Sequence, residues 1–74
     1  MTLYELVNNT AIQGNVTIIP TDKDGKELSH FHVDCTDDLA YAGWDDEWED
    51  WEVGYIFVDR YYNLVIEIRE KEEY

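Results

Sequence analysis

An Asp-Gly turn between two strand-like runs constrains this chain more than any other feature. Asp22-Lys23-Asp24-Gly25-Lys26 follows the β-branched run Val16-Thr17-Ile18-Ile19 and precedes an alternating segment, Glu27 to Cys35. Glycine after aspartate accepts the positive φ of a tight hairpin turn, so the flanking runs are expected to pair antiparallel. The first strand spans Gln13 to Pro20 and the return strand Glu27 to Cys35. A period of two places Phe31, Val33 and Cys35 on the core face, with His30, His32 and Asp34 on the other. Pro20 has no N–H to give a ladder, which implies an edge position or a strand end.

A second hairpin closes the chain. Val53 to Val58 and Leu64 to Arg69 read as strands joined by a turn at Asp59 to Asn63. Leu64, Ile66 and Ile68 are expected to face inward, and Val65, Glu67 and Arg69 outward. Tyr55 and Phe57 alternate with Ile56 and Val58, so both faces of that strand are apolar. Such a strand is either central and covered on both sides or part of an interface. Tyr61 and Tyr62 in the turn are expected at the surface. At the other end, Thr2 to Val7 reads as a short helix, with Thr2 as N-cap and Glu5 at capping-box spacing. Thr36 to Gly43 combines a capping residue, early acids and a glycine stop, which predicts one or two helical turns. The tail Glu70 to Tyr74 is expected to fray. The resulting expectation is α+β: one small domain over residues 1–74, with a four-stranded antiparallel sheet and one or two short helices.

Size and charge narrow the function. Seventy-four residues hold one hydrophobic core and not two. Leu, Ile, Val and Phe number 19, enough with three Trp and six Tyr to fold. No apolar run approaches the roughly 20 residues of a membrane helix. The N-terminal residues lack the basic and apolar regions of a secretory signal. A lone cysteine, Cys35, makes no internal disulfide and is expected as a buried, unreactive thiol, so the cytoplasm is the expected compartment. The net charge of −13 is unevenly placed. Residues 27–59 hold 11 acids and no Lys or Arg, which leaves −2 for the other 41 residues. That distribution opposes direct binding to nucleic acid or to an anionic membrane and favours a basic partner. A mixed-sign face serves solubility with less self-repulsion, so one uninterrupted acidic segment points to a docking surface.

The motifs that resemble chemistry are weak. Asp22-x-Asp24-Gly25 fails as a calcium loop, because placing Gly25 at the sixth position puts Pro20 first and Phe31 twelfth. His30-x-His32 with Asp34 has metal-like spacing, but no further histidine exists and one strand offers poor tetrahedral geometry. No phosphate loop or nucleophile–base pair is present, so neither an enzyme nor a metal or cofactor is expected. Trp44, Trp48 and Trp51, spaced four and three apart, share one side of any helix they occupy. Packed on the sheet they would complete a thin core, and exposed they would anchor a partner; two buried rings and one at the surface is the expected compromise. The candidate partner-binding residues are Asp37, Asp38, Trp44, Asp45, Asp46, Glu47, Trp48, Glu49 and Asp50.

In its acidic 27–59 segment, short length and richness in Trp and Tyr, the chain resembles small acidic proteins of bacteriophages and mobile elements. The DNA-mimic and anti-CRISPR inhibitors are among them. Met1–Ile18 and Asn63–Ile68 are also similar to the ends of short proteins from Gram-positive gut bacteria and their phages. The resemblance is one of composition and carries no residue assignments. It implies a non-enzymatic inhibitor, acting inside a bacterial host, that occupies the basic surface of a nucleic-acid-binding enzyme. The alternative is an accessory domain acting through a hydrophobic homodimer or protein interface, with acidity serving solubility.

Overall fold

The capping box forms as its spacing requires. In the computed structural model, which describes residues 1–35 (the Cys35 side chain apart) and 38–71, helix α1 spans Leu3–Asn9. The Thr2 hydroxyl accepts from the Glu5 N–H, and the Glu5 carboxylate accepts from the Thr2 N–H, each at 3.1 Å. Leu3 and Val7 are buried one helical turn apart. The Asp-Gly turn forms as well. Gly25 has φ +86°, and Asp22 Oδ1 accepts from the N–H groups of Asp24 and Lys26, both at 2.9 Å. The strands on either side are β1 (Gly14–Thr21) and β2 (Phe31–Cys35), paired antiparallel with Val16 opposite Val33 and Ile18 opposite Phe31. The return strand is shorter than expected. Of its first four residues only Glu27 bridges, to Thr21.

The second hairpin comprises β3 (Glu52–Val58) and β4 (Leu64–Arg69), with a bulge at Gly54. The sheet order is β2-β1-β4-β3, and the central pair, β1 with β4, is parallel. The fold class is therefore α+β as expected, but the sheet is mixed, and purely antiparallel pairing is corrected at its centre. The two hairpins lie side by side with β4 turned inward. Burial accompanies this placement: β1 and β4 are buried on both faces along most of their length. From Val16 to Thr21 every residue of β1 is buried, and Val65, expected outward, is buried with Ile66 and Ile68. Pro20 is thus in a central strand, not at an edge. Its carbonyl accepts from Leu28 (2.8 Å) on the side where the regular β2 ladder has already ended at Ile18, so no ladder N–H is missed. β3, by contrast, is an edge strand and not a central one, open on both faces.

One layer of short elements covers the sheet. Two 3₁₀ helices, Leu39–Tyr41 and Asp46–Asp50, run with α1 across the face that carries Val16, Ile18, Ile66 and Ile68. Leu3, Leu39 and Trp51 complete the core. The N-terminal residues also reach the sheet, where Val53 N–H donates to the Met1 carbonyl (2.8 Å) and Leu3 N–H to the Trp51 carbonyl (3.0 Å). Two expected features, the Cys35 thiol in the core and fraying of residues 72–74, lie outside the described residues. Glu70 and Lys71 do not fray: Glu70 N–H donates to the Thr21 carbonyl (2.9 Å), and Lys71 Nζ pairs with Asp50 (3.1 Å).

Acid exposes one consequence of the turns. The Asn63 backbone N–H, then its side chain and the Tyr61 N–H, hold the Asp59 carboxyl below its ordinary value of 3.8. The Thr2 backbone N–H and then its hydroxyl lower Glu5 from 4.5. A carboxyl depressed in the folded state contributes stability above its unfolded pKa and loses it as pH falls through the folded one. The stability advantage of the native chain over Asp59→Asn should therefore be constant near neutrality and shrink between about pH 5 and pH 2. Paired urea titrations of the two proteins read this directly; an advantage independent of pH would contradict it.

Candidate functional site

The acidic segment spans β2, both 3₁₀ helices and β3, and the carboxylates between the two strands divide into two groups. Asp38 and Asp45 serve the fold. Asp38 Oδ1 caps the first 3₁₀ helix through Ala40 N–H (3.2 Å) and accepts from Ile12 N–H (3.4 Å). Asp45 Oδ1 caps the second through Glu47 N–H (3.0 Å). Both residues belong to the class of side chain that starts helices by satisfying free N–H groups. Replacing Asp38 by alanine is expected to cost about 1–2 kcal/mol, because a half-buried cap and its tie to Ile12 are lost together. Chemical denaturation checks the value, and a change under a few tenths of a kcal/mol would contradict the assignment.

Asp46, Glu47, Glu49 and Asp50 are exposed on the second 3₁₀ helix. Residues three apart eclipse in a 3₁₀ helix, so Asp46 and Glu49 share one side and Glu47 and Asp50 another. Asp50 is engaged by Lys71. Asp46 and Glu49 line a groove of about 490 Å³ whose other walls are Tyr4, Val7 and Asn8 of α1 with Asp38, Ala40, Tyr41, Gly43 and Trp44. Among the described residues, no Lys or Arg lines it. Three aromatic side chains, Tyr4, Tyr41 and Trp44, stand beside three carboxylates, Asp38, Asp46 and Glu49, in this lining. Aromatic faces attract a guanidinium or ammonium group within about 6 Å, and the carboxylates accept its hydrogen bonds.

The tryptophans differ from the expected compromise. Trp51 is buried, whereas Trp44 and Trp48 are half-buried, and all three pack against the core. Trp48 stands edge-on to Phe31 at 5.9 Å and tilted to Trp51 at 6.4 Å, which occupies it within the fold. Trp44 is held by its indole N–H, which donates to the Leu39 carbonyl at 2.8 Å, while its ring forms part of the groove wall. Asp37 lies outside the described residues. The groove thus brings together Asp38, Trp44, Asp46 and Glu49, and leaves Asp45, Glu47, Trp48 and Asp50 outside its lining.

Tyr4, Asn8 and Tyr41 were not among the expected site residues. Tyr4 and Asn8 are four apart on α1, beside the buried Leu3 and Val7, so helical periodicity marks them as one exposed strip. Nothing local in the sequence says that this strip faces residues 41–49.

The two histidines have separate partners. His32 Nδ1 lies 2.8 Å from Thr17 Oγ1, and His30 Nε2 lies 2.9 Å from Glu27 Oε2. Among the described residues, no three His, Cys, Asp or Glu side chains stand together as a metal-binding group, and no helix is long and apolar enough to cross a membrane. No family model matches the chain, and neither a curated protein nor a solved structure matches it.

Proposed function

We propose that this chain is a non-enzymatic acidic binding protein that occupies the nucleic-acid-binding surface of a basic partner, in the manner of DNA-mimic and anti-CRISPR inhibitors. The observation that carries the reading is the groove beside the acidic segment, where Asp46 and Glu49 project beside Tyr4, Tyr41 and Trp44 with no cation among them. An arginine of the partner would enter the groove, and the exposed Glu47 with its neighbours would meet further basic side chains around it. Charge density supports the mimicry. The chain is 37 Å long, and duplex DNA of that length carries about 22 phosphate charges. Residues 27–59 carry 11 acids, about half that charge, with no Lys or Arg among them. The partner would be an enzyme of a bacterial host that handles nucleic acid, met in the cytoplasm by a protein encoded on a phage or mobile element.

Affinity capture from a bacterial lysate at low and at high salt tests the reading. Surface charge pairs are screened over about 8 Å at physiological ionic strength. A specific basic protein should be retained at low salt, released as salt rises, and displaced by duplex DNA. Retention that ignores both salt and DNA would overturn the proposal.

A further inference from the structure

The edge strand β3 carries no charge between Val53 and Val58, and beyond Gly54 it lacks the devices that usually protect an edge. Natural edges are blunted by charged side chains, proline, a covering segment or short length. The opposite edge, β2, has five residues and exposes His32 and Asp34. On β3 the protection stops at Val53, whose N–H is taken by Met1, and at the Gly54 bulge. Beyond that point Tyr55, Ile56, Phe57 and Val58 are 47–64% exposed. Ile56 and Val58 stand opposite Ile66 and Leu64 on the covered side of the sheet, and Tyr55 and Phe57 stand opposite Glu67 and Val65 on the other.

The direction of the free backbone groups follows from the hairpin. Asp59 N–H donates inward to the Asn63 carbonyl at 3.0 Å. Antiparallel ladders alternate, so Phe57 also faces β4, while Ile56 and Val58 turn their N–H and C=O groups outward. We propose that β3 pairs antiparallel with β3 of a second copy of this chain, about a two-fold axis at Phe57, to form one eight-stranded sheet. Among the self-pairings open to two outward residues, only this register joins Ile56 to Val58 twice and makes four hydrogen bonds; centring on Ile56 or Val58 joins one pair and makes two. It also sets the two Phe57 rings opposite each other as a non-hydrogen-bonded pair, the closer kind.

Charge favours a second copy as the occupant. Residues 52–69 hold three acids (Glu52, Asp59, Glu67) and two bases (Arg60, Arg69), so this hairpin carries only −1 within a chain of −13. A highly charged partner is not drawn to it, and an identical hairpin meets it with little like charge on like. Tyr55 and Phe57 on one face of the edge and Ile56 and Val58 on the other expose roughly 400 Å² together. Two copies bring about 800 Å² to the seam, the size of a weak association, to which the four main-chain hydrogen bonds add.

Sedimentation equilibrium of the purified chain tests the pairing. The expected mass is twice 8.8 kDa at about 100 µM. Ile56→Pro should yield a folded monomer, because its N–H faces away from β4 and the intrachain ladder loses nothing. Phe57→Lys, on the solvent side of an exposed position, should weaken association at least tenfold with an unchanged far-UV spectrum. Association should tighten as salt rises, since two chains of −13 repel; binding to a basic partner moves the other way. In hydrogen exchange, the Ile56 and Val58 amides should slow as protein concentration increases. A wild-type monomer at about 1 mM, or folded Ile56→Pro and Phe57→Lys proteins that associate as tightly as the wild type, would overturn the proposal and leave the acidic groove untouched.

Discussion

Reversing Asp46 and Glu49 together to lysine should lower affinity for the basic partner by about 10²- to 10³-fold. Two charge-assisted hydrogen bonds are lost, and two like charges then face the partner's arginines or lysines. Each reversal changes the net charge by two, so the double variant carries −9 in place of −13. The stability of the chain should move little, because both side chains are exposed and neither makes a hydrogen bond among the described residues. Asp24→Lys with Glu70→Lys is the matched control: the same net charge, with the change in the Asp-Gly turn and after β4. If the groove is the site, the control should lose under tenfold. Equal losses in the two variants would mean that overall charge alone draws the partner, and the groove assignment would fail. Titration calorimetry or surface-based binding at fixed salt reads the comparison.

Ile66→Ala should destabilise the chain by about 3–4 kcal/mol. Ile66 is fully buried in a central strand, flanked by Ile18 of β1 and Ile56 of β3. Its truncation removes transfer free energy and leaves a cavity that flanking strands on both sides cannot collapse to fill. A domain of this size is stable by roughly 4–11 kcal/mol in total, and each kcal/mol shifts Tm by about 4–8 °C. The melting temperature should fall by about 15–25 °C. Ile56→Ala supplies the comparison, because it is the cross-strand neighbour on the same face yet 47% exposed. Its cost in the monomer should stay near 1 kcal/mol or below. Similar costs for the two variants would contradict the placement of β4 inside and β3 at the edge.

The difference between these two isoleucines shows where sequence reading stops. Both hairpins were legible, since their turns and alternation are local signals: Gly25 supplies a positive φ, and Asp22 and Asp59 bond the backbone of the residues that follow them. The α1 start was legible for the same reason. How the hairpins lie together was not. Val53–Val58 carries no charge and Leu64–Arg69 carries Glu67 and Arg69, so local composition does not point to Leu64–Arg69 as the strand beside β1, and only the packed chain puts it there. The tryptophan spacing was likewise ambiguous. A 3₁₀ turn of five residues, Asp46–Asp50, sets Trp48 and Trp51 against the core, whereas a longer helix or an extended chain would have sorted the rings differently.

The sequence by itself determined the caps, the two hairpins, the single small core and the segregation of 11 acids into residues 27–59. Those features arise from interactions spanning a few residues, or from counting, and need no knowledge of the distant chain. Tertiary structure alone decided that β1 and β4 run parallel, that β3 is left open at an edge, and that Tyr4 and Tyr41 stand across a groove from Asp46 and Glu49. These depend on which packing of the strands buries the most surface, a quantity set by the whole chain at once.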